Sequence, residues 1–315
     1  MRPQFRAIMI FIGVILLVVG VVRAQEATPE FEVAERTYEL YIPEGYQEDI
    51  SVPLLLVLHG ASGNGARSQA WLGFDALADA KNFIVAYPNG LYNNWDFGAG
   101  VPTPDGDRVT VDDVGYLTGL VDDLAEAYSI DRTRVFVAGN SNGALMAYRL
   151  ACEAPDTFRA VAGVAAGVFV MAVRECGEVP IPVLFIQGTD DRILPWDGTR
   201  LNGQYVGLSA ADSLAFWAGA NGCDTSADAV IQTELADTDP DDISTVTQLS
   251  LNDCAGGAEV QFYAVVGGGH TWPGRPFDVG FDLGAVNMDM DATEVIWTWF
   301  AGFEAALAPE VTPPA

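Results

Sequence analysis

Ser141, His270 and an aspartate lying between them in the chain are the residues of this sequence best placed to do chemistry. Gly139-Asn140-Ser141-Asn142-Gly143 fits the pattern G-x-S-x-G. A serine hydroxyl is a weak nucleophile until a base takes its proton, and the base needs an acid to orient it. The chain has two histidines, so the search for a base is short. His270 follows Gly267-Gly268-Gly269, and glycines let a loop approach another backbone closely. His59 ends an apolar run in His-Gly and suits a structural role, holding its own loop by hydrogen bonds. For the acid, Asp190 and Asp191 compete in the stretch Gly188 to Pro195. G-x-x-D-x-x-[VL]-P fits Asp191, while Asp190 reads as a turn-forming aspartate. Such a set supports acyl transfer, with Ser141 as nucleophile, His270 as base and Asp191 as orienting acid. A developing oxyanion would need two N–H donors. Asn142 directly follows the nucleophile, and Ala61 in the His-Gly loop is the simplest second donor, ahead of Ser62.

The elements needed to position these groups are legible around them. Val135 to Val137 is an apolar, β-prone run, and Ala144 to Cys152 contains strong helix formers without Gly or Pro. Strand, sharp turn and helix make G-x-S-x-G a nucleophile elbow, whose flanking positions must lack side chains for steric reasons. Thr37 to Ile42 alternates as an edge strand, and Pro53 to Leu58 is a continuous apolar run expected at the sheet centre. A helix is expected over Ala70 to Lys81, then a strand over Asn82 to Ala86 and a long loop containing Trp95. Asp112 and Asp113 start a helix to about Tyr128, and capping accounts for both. Further strands are expected at Arg159 to Ala166, Val183 to Gln187 and Gln261 to Val266, and a closing helix at Asp291 to Ala306. Strands alternating with helices imply βαβ units and a mainly parallel sheet, hence an α/β fold. One domain is expected over residues 36–307, after a flexible leader at 25–35 and before a disordered tail at 308–315.

The formal net charge of −28 over 315 residues argues against nucleic acid and anionic membranes as partners. Residues 1–24 carry Arg2 and Arg6, an apolar run from Ile8 to Val22, and Val22-Arg23-Ala24 as a small-residue cut. They read as a secretory signal peptide, or as an N-terminal anchor if uncleaved. The expected location is therefore extracellular, or the cell surface. Four cysteines in an exported chain suggest disulfides. Of three connectivities, neighbour pairing of Cys152 with Cys176 and Cys223 with Cys254 is preferred, against free buried thiols. No ligand cluster for a metal is evident, and no cofactor is implied. The glycine-rich loop at 60–65 lacks the following Lys-Ser/Thr pair of a phosphate cradle.

LVLHG, YPNG, the DDVGYL helix start, RVFVAGNSNGALMAYRLAC, the GTDD acid loop and GGGHTWPG occur in that order. Together they resemble the secreted poly(3-hydroxybutyrate) depolymerase-like and feruloyl esterase-like family of the α/β-hydrolase fold, over about Thr37 to Phe303. The resemblance implies a serine carboxylic-ester hydrolase with Ser141, Asp191 and His270 as its triad, and the same neighbour pairing of cysteines. It implies feruloyl or acetyl esters of plant polysaccharide, or hydroxyalkanoate polyesters, as substrates; the chain is expected to be a monomer. Where that family has His-Gly at the acid strand's end, this chain has Gln187-Gly188. Trp95, Trp196 and Trp272 are candidates for a platform under an aromatic acyl group or sugar. The competing readings are a serine peptidase of the same fold and a non-catalytic carbohydrate-binding surface protein.

Overall fold

The computed structural model describes residues 36–177, 180–277, 280 and 282–303, all within one compact unit. The expected signal or anchor at 1–24, leader at 25–35 and tail at 308–315 lie outside the described residues. In chain order the elements are β1 (Tyr38–Tyr41), β2 (Val52–Leu58), α1 (Gly65–Leu72), α2 (Phe74–Lys81), β3 (Ile84–Pro88), β4 (Val101–Pro102) and β5 (Arg108–Val109). Then come α3 (Asp113–Ala127), β6 (Ile130–Asn140), α4 (Asn142–Glu153), β7 (Ala160–Val164), β8 (Val183–Gly188), β9 (Thr199–Leu201) and β10 (Gln204–Gly207). The last are α5 (Ala210–Ala220), β11 (Val230–Glu234), β12 (Thr245–Leu251), β13 (Val260–Val266) and α6 (Ala292–Ala301).

Nine strands form one sheet in the order β1-β3-β2-β6-β7-β8-β13-β12-β11. From β3 through β13 all neighbours pair in parallel. The edges are antiparallel: β1 on β3, and the β11–β12 hairpin beyond β13. All seven residues of β2 are buried, as expected for a strand covered on both faces. Its side chains alternate between two cores. Leu54, Leu56 and Leu58 pack with residues of α3, α4 and α5, while Leu55 and Val57 pack with α2 and α6. The chain leaves β2 toward β3 on one side and later toward β6 on the other. The carboxyl ends of β2 and β6 thus form the switch point where open α/β sheets make their crevice.

Two local expectations need correction. The single helix over Ala70 to Lys81 is two helices, broken at Gly73, which takes φ 76° and caps the first. A Cβ there would meet the Arg275 guanidinium at 2.6 Å. Asp112 does cap α3 by accepting from the Gly115 N–H at 2.8 Å. Asp113 does something else. Its buried carboxylate pairs with Arg36 at 2.5 Å and accepts the Asp96 N–H, tying the Trp95 loop to α3. Disulfides join Cys152 to Cys176 and Cys223 to Cys254. Among the described residues, no helix is long and apolar enough to cross a membrane, and no cluster of ligating side chains could hold a metal ion.

Candidate active site

Ser141 stands between β6 and α4 at φ 54° and ψ −115°, a backbone conformation that L residues seldom adopt. The turn closes because its glycines have no Cβ. One added at Gly139 would lie 2.2 Å from the Gly143 oxygen, and one at Gly143 would lie 2.3 Å from the Leu58 oxygen. The Ser141 N–H is fixed by the Val164 carbonyl at 2.8 Å. The hydroxyl is thereby held above the sheet's carboxyl edge.

His270 Nε2 lies 2.9 Å from Ser141 Oγ, and His270 Nδ1 lies 2.7 Å from Asp191 Oδ2. These two contacts span 129 and 79 residues of sequence, so the sheet alone brings the groups together. A carboxylate facing Nδ1 requires the proton there, which leaves Nε2 free to accept from the serine. Asp191 is buried, and its other oxygen accepts the N–H groups of Ile193 and Leu194, each at 2.8 Å. Asp190 is exposed, and its carboxylate accepts from the Thr189 hydroxyl. The glycines before His270 make its approach possible. A Cβ on Gly269 would lie 2.1 Å from the Leu283 oxygen, and one on Gly188 would lie 2.2 Å from the Gly268 oxygen.

His59 is a structural histidine. It accepts the Gly90 N–H at Nε2 and donates from Nδ1 to the Gly60 carbonyl. Burial lowers its pKa to about 4, since a charged ring there would lose its hydration. The loop it holds carries Ala61, whose N–H has no acceptor among the described residues. The Ser62 N–H is taken by the Asn93 carbonyl at 2.8 Å. Asn142 opens α4, so its N–H has no intrahelical acceptor. Its side chain bonds both the N–H and the carbonyl of Trp95.

Ser141 and His270 open onto a cleft of about 740 Å³. The tryptophans singled out from sequence are not its platform as a group. Trp95 is buried, donates to the His59 carbonyl and packs on the His59 ring at 5.0 Å. Trp196 packs on Phe262 at 5.6 Å, away from the cleft. Trp272 lines the cleft but is fully buried, its indole bonded to Thr293. Two aromatic residues missed from sequence form the wall instead. Trp71 stacks on Phe277 with centroids 4.6 Å apart and meets Trp272 edge-on at 6.4 Å.

The family model described as "Putative esterase" matches residues 33–273. "Putative esterase NocK" from Nocardia uniformis subsp. tsuyamanensis is 33% identical over 247 residues, which is 75% of this chain and 68% of that protein. "Probable feruloyl esterase C" from Aspergillus niger is 30% identical over 183 residues, covering 56% of this chain and 63% of that one, less than two thirds of its length. Among solved structures, the acetyl xylan esterase from Aspergillus awamori superposes with a TM-score of 0.52 at 17% identity, covering 85% of this chain and 94% of that one. That last likeness is one of fold. On the strength of the family match, the chain belongs to the esterase family and is a carboxylic ester hydrolase of the α/β-hydrolase fold.

Proposed function

We propose that this protein is an exported serine esterase, working through Ser141, His270 and Asp191 on feruloyl or acetyl esters of plant polysaccharide or on hydroxyalkanoate polyesters. The observation that carries the reading is the unbroken contact from Ser141 Oγ through the His270 ring to the buried Asp191 carboxylate. Ser141 Oγ attacks the ester carbonyl as its proton passes to His270 Nε2. Negative charge gathers on the former carbonyl oxygen, for which the N–H groups of Asn142 and Ala61 are the donors. The tetrahedral species collapses, and the departing alcohol takes the proton from His270. Water then repeats the sequence on the acyl-enzyme, freeing the acid and restoring Ser141. Asp191 holds the imidazole in one tautomer and balances its charge while the ring carries the extra proton.

Of these esters, a feruloyl group suits the cleft best, because Trp71 and Phe277, stacked on one another and backed by the buried Trp272, offer an aromatic acyl group an apolar wall. The feruloyl esterase C relatives support the same reading. Export is supported by the charged and apolar pattern of residues 1–24 and by the two disulfides. The test is a panel of methyl ferulate, acetylated xylan and hydroxybutyrate oligomers, run with the wild type and Ser141→Ala. Turnover of methyl ferulate that disappears in the variant is expected. Turnover of none of the three overturns the substrate reading.

A further inference from the structure

The described residues lining the cleft include Arg67 and Arg275 and no carboxylate. The chain as a whole has 43 Asp and Glu against 15 Lys and Arg, so the sign of charge is inverted at this surface. The two arginines differ. Arg275 is engaged by Asp291, with Nη2 to Oδ2 at 2.6 Å. Arg36, Arg132, Arg134 and Arg149 are likewise paired with carboxylates elsewhere. The Arg67 side chain meets no carboxylate, carbonyl or aromatic face among the described residues; its backbone N–H goes to Asn64. Arg67 and Trp71 are four residues apart on α1, so they share a face with Cβ atoms about 5–6 Å apart. An unclaimed guanidinium thus stands one helical turn from the aromatic wall. Repulsion from the acidic surface is screened beyond about 8 Å at physiological salt, whereas a direct contact with the exposed Arg67 guanidinium is screened less and weakens only as salt rises further.

We infer that Arg67 is a specificity residue which binds a carboxylate carried by the ester itself, so that the cleft selects acid-bearing esters over neutral ones. The guanidinium fork matches a carboxylate in two parallel hydrogen bonds. The inference rests on the esterase reading of this cleft. The acid can lie on the acyl side, as in the half-ester of a dicarboxylic acid. It can also lie on the alcohol side, as in an acid-ended oligoester.

The experiment uses two matched pairs, each differing by carboxylate against carboxamide. On the acyl side these are mono-4-nitrophenyl glutarate and 4-nitrophenyl glutaramate; on the alcohol side, 3-acetoxybutyrate and 3-acetoxybutyramide. kcat/KM is measured for the wild type, Arg67→Gln and Arg67→Lys. In one arm the wild type should favour the acid by about tenfold, the scale of a charge-assisted contact. Arg67→Gln should lower that acid-to-amide ratio by about tenfold through KM, and Arg67→Lys should restore part of it. Raising NaCl from about 50 mM to about 500 mM should narrow the ratio in the wild type. An acid-to-amide ratio in the wild type at or below one in both arms overturns the inference. So does a ratio that Arg67→Gln leaves unchanged. Calorimetric binding of the same four esters to Ser141→Ala reads the acid preference without turnover. If no ester is cleaved by the wild type, the esterase reading fails, and the calorimetry still decides the role of Arg67.

Discussion

Ser141 occupies a positive-φ conformation that costs an L residue roughly 1–2 kcal/mol, and the glycine-flanked turn between β6 and α4 holds it there. Ser141→Gly should therefore be more stable than Ser141→Ala by about 1 kcal/mol in urea unfolding, after glycine's greater chain entropy is subtracted. Both should lose at least ~10³-fold in ester hydrolysis, since the members of a triad act as a unit. Asp191→Asn removes the charge facing His270 Nδ1 and should lower kcat/KM by at least ~10²-fold. Asp190→Asn, on an exposed turn, should cost far less. His59 supplies a pH test. Its pKa is about 4 when folded and about 6.5 in an unfolded chain. Between those values the unfolded state binds a proton that the folded state lacks. The contribution of His59 to stability is therefore whole above pH 6.5 and is lost as pH falls, by about 3 kcal/mol below pH 4. Comparing unfolding free energies of the wild type and His59→Asn across pH 4–7 isolates that slope, because the carboxylates are common to both. A difference between the two proteins that does not change with pH would show that His59 titrates normally. Ser141, Asp191 and His270 were legible because the elbow pattern, the loop pattern and a supply of two histidines narrowed the choices. The aromatic wall was not, because an indole's neighbours depend on which distant loops pack on it. Trp71 and Phe277 meet across 206 positions of chain.

At the scale of elements, the long buried strands could be read because continuous apolar runs such as β2 and β8 have no other stable place. The break at Gly73 was illegible, since one glycine inside a helix-prone run is often tolerated. Its cause is a tertiary contact with Arg275 and a left-handed φ. The β4–β5 and β9–β10 hairpins were also missed; strands of two to four residues are too short to show alternation. Two glycines test the packing around the elbow. Gly143→Ala forces a methyl to within 2.3 Å of backbone and should destabilise the protein by more than about 2 kcal/mol, with loss of activity. Gly119→Ala, inside α3 with nothing within 4 Å, should stabilise it by about 0.5–1 kcal/mol. Thermal unfolding of the two variants provides the comparison. A neutral Gly143→Ala would mean that the elbow is looser than its geometry indicates.

At the scale of the whole molecule, each disulfide closes a loop of 24 or 31 residues on the side of the sheet that carries α4 and α5. Cys152 anchors the end of the helix that follows Ser141, and Cys223 ties the end of α5 to the segment before β13. Replacing either pair with serines should lower the unfolding free energy by about 3–4 kcal/mol. A loss below about 1 kcal/mol from either pair would mean that the cross-link adds little to the packed core. The acidic surface is expected to keep the chain dispersed and to leave contact chemistry inside the cleft unaffected. The most direct measurement of the central claim is covalent labelling of the intact protein with a fluorophosphonate, followed by peptide mapping. One adduct per chain, on the peptide containing Ser141, with ester hydrolysis falling in step with labelling, is the predicted result. Full activity without an adduct, or an adduct on another residue that accounts for the lost activity, would contradict it.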